Sequence, residues 1–192
     1  DWSSDVCSSD LTEAAMRGEL NFEQSLTRRV ALLAGLDADA LRHVYQERLR
    51  PNPGAEVMIA GLQNAGVKVA LVSGGFTFFT SRVAAAAGFD ENHANVLEMR
   101  DGKLTGAVVG PILGREAKLA TLERLRATHG LAAEETLAVG DGANDLAMIR
   151  AAGLGVAYRA KPIVAAEAHA AIDHADLTAL LYFQGYKKSE FV

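Results

Sequence analysis

The sequence has 192 residues, of which 49% are hydrophobic and 22% are charged, and its formal net charge is -5 at pH 7. These values are typical of a globular chain with one core and room for a small additional lobe. The mild acidic excess argues against a nucleic-acid partner or a membrane partner, but a small phosphorylated ligand stays open, because local cations and a metal can outweigh the global charge. The single cysteine, Cys7, excludes an internal disulfide. Together with the lack of a long apolar run or leader pattern, it leads us to expect a cytoplasmic location.

The first part of the chain differs from the rest. Residues 1–11 show no helical or strand periodicity, and we expect a disordered or foreign appendage there. Residues 12–52 are predicted to be helical, since apolar residues such as Leu26 and Val30 recur at helical spacing, and Asp37-Ala38-Asp39 is predicted to start a further helix with acids in its first turn. The break Pro51-Asn52-Pro53-Gly54 ends this segment, which we predict to be a small helical cap.

The remainder, 53–192, alternates between strand and helix patterns. We predict helices near 55–64, 115–128 and 177–181, a glycine turn after residue 72 followed by a helix to about residue 87, and a helix between residues 142 and 155. We predict strands at 67–72, 136–139 and 155–158, and a hairpin over 95–109. Such alternation predicts an α/β fold with a Rossmann-like parallel sheet and helices on both faces.

The strongest local signal is the segment Val139-Gly140-Asp141-Gly142-Ala143-Asn144-Asp145. An apolar strand leads directly to two carboxylates across a glycine-rich turn, and ligands of open parallel sheets bind at the carboxyl ends of strands. Carboxylate oxygens suit a hard cation such as Mg²⁺. The alternative interpretation is that the two acids only cap the following helix.

Two further signals are weaker when taken alone. Ser73-Gly74-Gly75 follows a predicted strand, and a hydroxyl with backbone N–H groups at a helix start can hold a phosphate. Lys118 lies near the start of a predicted helix, where an ammonium group can neutralise developing charge on a phosphoryl oxygen. The alternative interpretation of Ser73-Gly74-Gly75 is a common turn, and that of Lys118 is a solvated helix lysine.

Taken in chain order, these signals resemble motifs two, three and four of the haloacid-dehalogenase superfamily. Outside the motifs, three regions are similar to phosphoserine phosphatases of that superfamily. They are Glu13–Leu26 with Arg28-Arg29-Val30, Asp101–Gly106, and Ala160-Lys161-Pro162. The resemblance covers nearly all of 12–192.

The resemblance implies roles for individual residues. In this family an aspartate attacks phosphorus, and a second aspartate protonates the leaving oxygen and later activates water. The implied phosphate-binding residues are Ser73, Gly74, Lys118 and Asn144; the implied metal residues are Asp141 as the Mg²⁺ ligand and Asp145 in support. The implied substrate-binding residues are Arg29, which pairs with the serine carboxylate, and Met16, Phe22 and Gly75.

The family's first motif, DxDx[TV], which carries both catalytic aspartates, has no counterpart in the printed sequence. Asp37-Ala38-Asp39 is superficially similar, but its fifth position is Leu41 and the resemblance places it inside the cap. We therefore expect the chain by itself to be inactive. We also expect the core to lack its first strand, which in this superfamily lies between the strands that end near Val72 and Val139. Either this gap persists, or the two flanking strands pair directly.

Three functions remain open at this point. The first is an Mg²⁺-dependent phosphoserine phosphatase that hydrolyses O-phospho-L-serine. The second is a non-catalytic module that binds phosphate or serine on the same fold. The third is a phosphatase or phosphotransferase for another small phosphomonoester.

Overall fold

Helices and strands alternate through most of this computed structural model, which describes residues 21–191. The helices are α1 (Phe22–Ala31), α2 (Ala38–Arg48), α3 (Ala55–Asn64), α4 (Thr77–Ala87), α5 (Arg115–His129), α6 (Leu146–Ala151), α7 (Pro162–Ala165) and α8 (Ala179–Phe183). The strands are β1 (Ala70–Phe76), β2 (Glu91–Arg100), β3 (Lys103–Val109), β4 (Leu137–Gly140), β5 (Leu154–Tyr158) and β6 (Ala170–Ile172).

The strands form two three-stranded sheets, in the orders β1-β2-β3 and β4-β5-β6. Pairing is parallel between β1 and β2 and throughout the second sheet, and it is antiparallel in the β2–β3 hairpin. Within residues 21–191, β1 and β4 are not paired with each other, so of the two alternatives the direct pairing of the flanking strands is wrong for the part of the chain described.

The main apolar core lies against the second sheet. It combines one face of α3, the central strand β5 and the short helix α8, and strand β4 and Val69, directly before β1, pack against it. Its most deeply buried members are Ile59, Val156, Leu180 and Leu181. Burial of a side chain of this size stabilises the fold by about 1.5–3 kcal/mol. This core holds β4 in place and thereby fixes the position of the loop that follows it.

A second apolar cluster joins the first two helices to the β2–β3 hairpin. Val30 of α1 and Leu41 of α2 pack with Leu97 and Leu104 of the hairpin. Backbone hydrogen bonds reinforce this contact, since the Gly35 N–H donates to the Leu104 carbonyl at 2.8 Å. The predicted cap helices are thus anchored to the hairpin. The proposed domain limits, 1–11, 12–52 and 53–192, stay predictions.

Several predicted elements agree with the structure and others do not. The helix predicted near 55–64 is α3, and the carboxylate of Asp37 caps α2 by accepting a hydrogen bond from the Asp39 N–H at 2.8 Å. The strand predicted at 67–72 is instead β1, Ala70–Phe76, because the chain stays extended through the glycines that were expected to form a turn. The short elements α7 and β6 were not predicted.

The predicted appendage, residues 1–11, and the predicted substrate residue Met16 lie outside the described residues. Among residues 21–191, no helix has the length and apolar character that a membrane span requires.

Candidate active site

The first component of the site is the end of β1. Ala70, Leu71 and Val72 pair with β2, the register then shifts, and pairing resumes only at Phe76. The intervening Ser73-Gly74-Gly75 segment is therefore outside the regular ladder. The Gly75 N–H donates a hydrogen bond to the Ser73 Oγ at 3.0 Å. This bond orients the hydroxyl so that its own hydrogen points to another acceptor.

The second component is the loop after β4. Asp145 is only 4% exposed, and its Oδ2 accepts hydrogen bonds from the backbone N–H groups of Asp141 at 3.3 Å and Gly142 at 3.1 Å. A side chain at Gly140 would collide with Asp145, because an added Cβ would lie 2.4 Å from the Asp145 Cβ. The loop is thus wrapped around the Asp145 carboxylate, and the Asp141 side chain lies at the exposed surface.

Lys118 contacts the second of these loops. It lies in the first turns of α5 and is 5% exposed, and its Nζ donates a hydrogen bond to the Asp145 Oδ1 at 2.5 Å. A buried lysine needs a compensating negative charge, which Asp145 supplies. Since an ammonium group has three N–H donors, two remain for a ligand.

The first helix covers these loops. A Cβ added to Gly74 would lie 2.9 Å from the Phe22 ring and 3.7 Å from the Asn144 Nδ2, and a Cβ on Gly114 would lie 3.5 Å from the same ring. Phe22 therefore lies over both the β1 loop and the start of α5. Its ring is 37% exposed, which is consistent with a side chain at the mouth of a site. Arg29 is exposed and lies about two turns further along α1.

The structure thus places Phe22 and the Asn144 amide beside Gly74, and Lys118 against Asp145, the neighbour of Asn144. Ser73, Gly75 and Asp141 lie in the same loops. The assignment of individual roles to these residues, and to Arg29, stays a prediction.

Sequence reasoning missed two groups that shape the site. The buried Asn95 donates hydrogen bonds to the carbonyl groups of Gly74 and Gly75, and the Lys161 N–H donates to the Asp141 carbonyl at 3.3 Å. The residues adjacent to Asn95 and Lys161 do not indicate these contacts, because each group binds a loop that is distant along the chain. The Ala160-Lys161-Pro162 segment was noted only for its resemblance.

The fold and these contacts define an α/β protein that presents a hydroxyl, a buried ammonium group and carboxylates where parallel strands end. Such a set suits a phosphorylated ligand and a hard cation. Residues 5–150 match the family of haloacid dehalogenase-like hydrolases. The chain belongs to this family.

Named relatives agree with this assignment. The chain is 49% identical over 181 residues to a phosphoserine phosphatase of Streptomyces coelicolor, covering 94% of this chain and 44% of that protein. It is 47% identical over 176 residues to a phosphoserine phosphatase of a Polaromonas species, covering 89% of this chain and 75% of the relative. The chain thus spans less than half of the first relative and most of the second.

A solved structure is similar over nearly the whole chain. It is a phosphoserine phosphatase with a phospho-aspartyl intermediate analogue, 43% identical, with a TM-score of 0.84, and the match covers 92% of this chain and 84% of that one.

Proposed function

We propose that the protein is a phosphoserine phosphatase that hydrolyses O-phospho-L-serine to L-serine and phosphate with the help of Mg²⁺, the last step of serine biosynthesis. The observation that carries the proposal is the buried hydrogen bond between Lys118 and Asp145, which joins two phosphate-site motifs in one place. The relatives named above, which are phosphoserine phosphatases, support the choice of substrate.

The β1 loop holds the phosphoryl group. Because Ser73 Oγ already accepts a hydrogen bond from the Gly75 N–H, its hydroxyl hydrogen donates to a phosphoryl oxygen. A hydroxyl polarised in this way is a stronger donor than an isolated one. The Gly74 N–H is the second donor of this loop.

Lys118 contributes charge. Its two remaining donors face phosphoryl oxygens and offset the negative charge of the transferred group. Phosphoryl transfer depends mainly on positioning and charge neutralisation, so a buried and fixed ammonium group is well suited to it. Asn144, whose amide nitrogen faces the Gly74 loop, lies where it can contact the same phosphate.

The residues present fit a magnesium ion. Mg²⁺ is typically held by one or two carboxylates together with waters and substrate phosphate. The Asp141 carboxylate, at the exposed end of the β4 loop, is the ligand, and Asp145 holds the loop through Asp141 N–H and Gly142 N–H. Asp145 therefore supports the metal indirectly, since both its oxygens already accept hydrogen bonds. When bound, the ion neutralises phosphate charge.

We expect the nucleophile to be absent from the printed sequence, in which no DxDx[TV] motif occurs. Within residues 21–191, the carboxylates of the β4 loop are Asp141, assigned to the metal, and Asp145, held by three donors. The family resemblance implies a phosphoaspartate, as in the solved phosphatase that carries an analogue of this intermediate. The inactivity of the 192-residue chain by itself therefore stays a prediction.

Recognition of the serine part is assigned to the cap. Arg29 pairs with the substrate carboxylate, for which a planar guanidinium offers two parallel donors. Phe22, over the β1 loop, excludes water from the phosphoryl group. Met16 is assigned to the same apolar cover, and Gly75 to the substrate side of the loop.

The activity is tested with the intact gene product that contains this chain and with the 192-residue chain alone. We expect the former to release phosphate from O-phospho-L-serine in the presence of Mg²⁺, and Lys118→Ala to abolish this release. We expect the latter to bind phosphate in calorimetry without turnover. No turnover by the intact product would refute the proposal. Robust turnover by the chain alone would refute its expected inactivity and direct the search for a nucleophile to Asp5, Asp10 and Asp37.

The substrate is tested with two neighbouring arginines of α1. Arg29→Ala is expected to lower kcat/KM for O-phospho-L-serine by about 10–150-fold, which corresponds to the loss of one charged hydrogen bond. Arg28→Ala, at the adjacent exposed position, is the control and should have little effect. If Arg29→Ala leaves kcat/KM unchanged, the serine assignment fails.

A further inference from the structure

Asn95 is a buried polar side chain that the proposed chemistry does not use. It is 2% exposed and lies on β2 opposite Phe76, at the point where the pairing with β1 resumes after its shift. A buried amide without hydrogen bonds is strongly unfavourable. The buried Asn95 side chain must therefore have hydrogen-bond partners in the interior.

Both ends of the Asn95 amide are engaged. Nδ2 donates to the Gly74 carbonyl at 2.8 Å and to the Gly75 carbonyl at 3.3 Å, and Oδ1 accepts from the Leu113 N–H at 2.7 Å. An asparagine side chain has two N–H donors and one carbonyl acceptor, so these three bonds use each of its polar groups.

The two carbonyl contacts determine the direction of the loop amides. In a planar trans peptide, C=O and N–H point in opposite directions. Holding the Gly74 carbonyl on the Asn95 side therefore turns the Gly75 N–H away from Asn95, and this N–H is the donor that orients the Ser73 Oγ. This matters because residues 73–75 lack regular ladder pairing and two of them are glycines, which adopt many backbone conformations.

The third contact links this loop to Lys118. Leu113 directly precedes Gly114, the N-cap of α5, and the Lys118 N–H donates to the Gly114 carbonyl at 3.0 Å. One side chain of β2 thus sets the position of the β1 loop relative to the first turn of the lysine-bearing helix.

We infer that Asn95 is a positioning residue: without touching the substrate, it aligns the Ser73–Gly75 loop and the start of α5 so that their donors converge on one phosphate. This inference rests on the proposed function, since it concerns the same phosphate site.

Two variants of nearly unchanged shape separate the contacts. Asn95→Asp keeps an acceptor for the Leu113 N–H, but it places an oxygen against the carbonyls of Gly74 and Gly75. Asn95→Leu removes all three bonds. Asn92→Leu is the matched control, because Asn92 lies on the same strand but donates to Ser81 of α4 instead.

The first measurement uses the intact protein with inorganic phosphate and L-serine as separate inhibitors of phosphoserine hydrolysis. Both Asn95 variants should weaken phosphate inhibition by about tenfold or more, while inhibition by L-serine, which lacks a phosphoryl group, stays within about twofold. The control should change neither constant. The inference would be overturned if the inhibition constants of phosphate and L-serine changed by the same factor, or if neither changed.

The pH profile of Asn95→Asp gives a second readout. A protonated carboxyl can donate to the Gly74 carbonyl while still accepting from Leu113, so phosphate inhibition relative to wild type should recover as the pH falls. Asn95→Leu cannot recover in this way. Equal pH profiles for both variants would contradict the assigned contacts.

Amide hydrogen exchange tests the alignment without any enzyme activity. Exchange at Gly75 should accelerate in both Asn95 variants, and exchange at Leu113 should accelerate only in Asn95→Leu, with Val139 on β4 as the internal reference. Absence of turnover by the wild type would refute the proposed function. Unchanged exchange at Gly75 would instead refute the role of Asn95, whatever the turnover.

Discussion

The buried ion pair between Lys118 and Asp145 offers the sharpest test of the site's structure. The two side chains are 7% and 5% exposed, and their charged atoms are 2.5 Å apart. Removing one partner leaves the other charge buried, which costs about 3–5 kcal/mol. For a chain of this size each kcal/mol lowers Tm by about 2–4 °C, so Lys118→Met is expected to lower Tm by about 6–20 °C.

The pairwise part of this loss can be isolated with a double-mutant cycle. Lys118→Met and Asp145→Asn should each be strongly destabilising, but together they leave no uncompensated charge. The loss in the double variant should therefore be smaller than the sum of the single losses by about 2–3 kcal/mol. Urea unfolding is the suitable assay, because guanidinium is itself a salt and would screen charges.

A surface ion pair provides the control for this cycle. Arg150 and Glu167 form an ion pair at 2.9 Å, but their side chains are 55% and 44% exposed. Its coupling should be only about 0.2–1 kcal/mol and should vanish near 1 M NaCl, where the Debye length is about 3 Å. The reasoning is refuted if the losses at Lys118 and Asp145 are additive, or if their coupling disappears in salt like that of the control.

Two further predictions concern stability outside the site. Gly155→Ala should lower the free energy of unfolding by about 3 kcal/mol, the upper end of the usual overpacking cost, because the added Cβ would lie 2.1 Å from the backbone oxygen of Ile149. Gly61→Ala is its control in urea unfolding: the Cβ would lie 3.2 Å from the methyl groups of Leu181, a side-chain contact that a small shift relieves, and alanine is favoured over glycine in a helix by about 1 kcal/mol. The hydrogen bond from Lys68 lowers the pKa of Asp90, so this carboxylate stabilises the fold above the unfolded pKa and the contribution is lost as the pH falls through the folded value. Asp90→Asn should therefore have a lower Tm than wild type above about pH 4, and the difference should shrink below that pH; a constant difference across the acid range would contradict this.

Local signals in the sequence predicted the elements whose ends are marked by side chains or glycines. The helix starting after Asp37 is one example: acids near a helix start suggested it, and the structure shows the Asp37 carboxylate bonded to the Asp39 N–H. The same contact explains why Asp37-Ala38-Asp39 is not a convincing nucleophile motif. The carboxylate is engaged in capping at the start of α2, within the segment predicted to be the cap.

The glycine-rich turn after β4 was also predictable, because an apolar strand followed by glycines and acids has few alternative interpretations. What the sequence could not show is how the loop is held. Lys118 lies 27 residues before Asp145, and nothing near Lys118 distinguishes it from a solvated helix lysine. Only the fold buries it. In the same way, Asn95 acts on Gly74 across 21 residues, and its neighbours carry no hint of that contact.

Short and irregular elements were missed for a different reason. Strand β6 has 3 residues and α7 has 4, which is too short for a hydrophobic period to be recognised. The β1 limits were displaced because glycines usually end a strand pattern. Here Ser73-Gly74-Gly75 stays extended although its backbone does not pair regularly with β2, and its partner is a side chain, Asn95.

Helix α5 explains how two sheets that are not hydrogen-bonded to each other within residues 21–191 can share one site. At its start, Leu113 donates to Asn95 of the first sheet. One turn later Lys118 reaches Asp145, and Leu122 packs against the buried cluster of Ala138, Met148 and Ala152. Apolar contacts can slide by a fraction of a residue, whereas the two polar contacts have defined partners and directions. The position of the phosphate-binding groups of one sheet relative to those of the other therefore depends on Asn95 and Lys118 more than on the surrounding apolar packing.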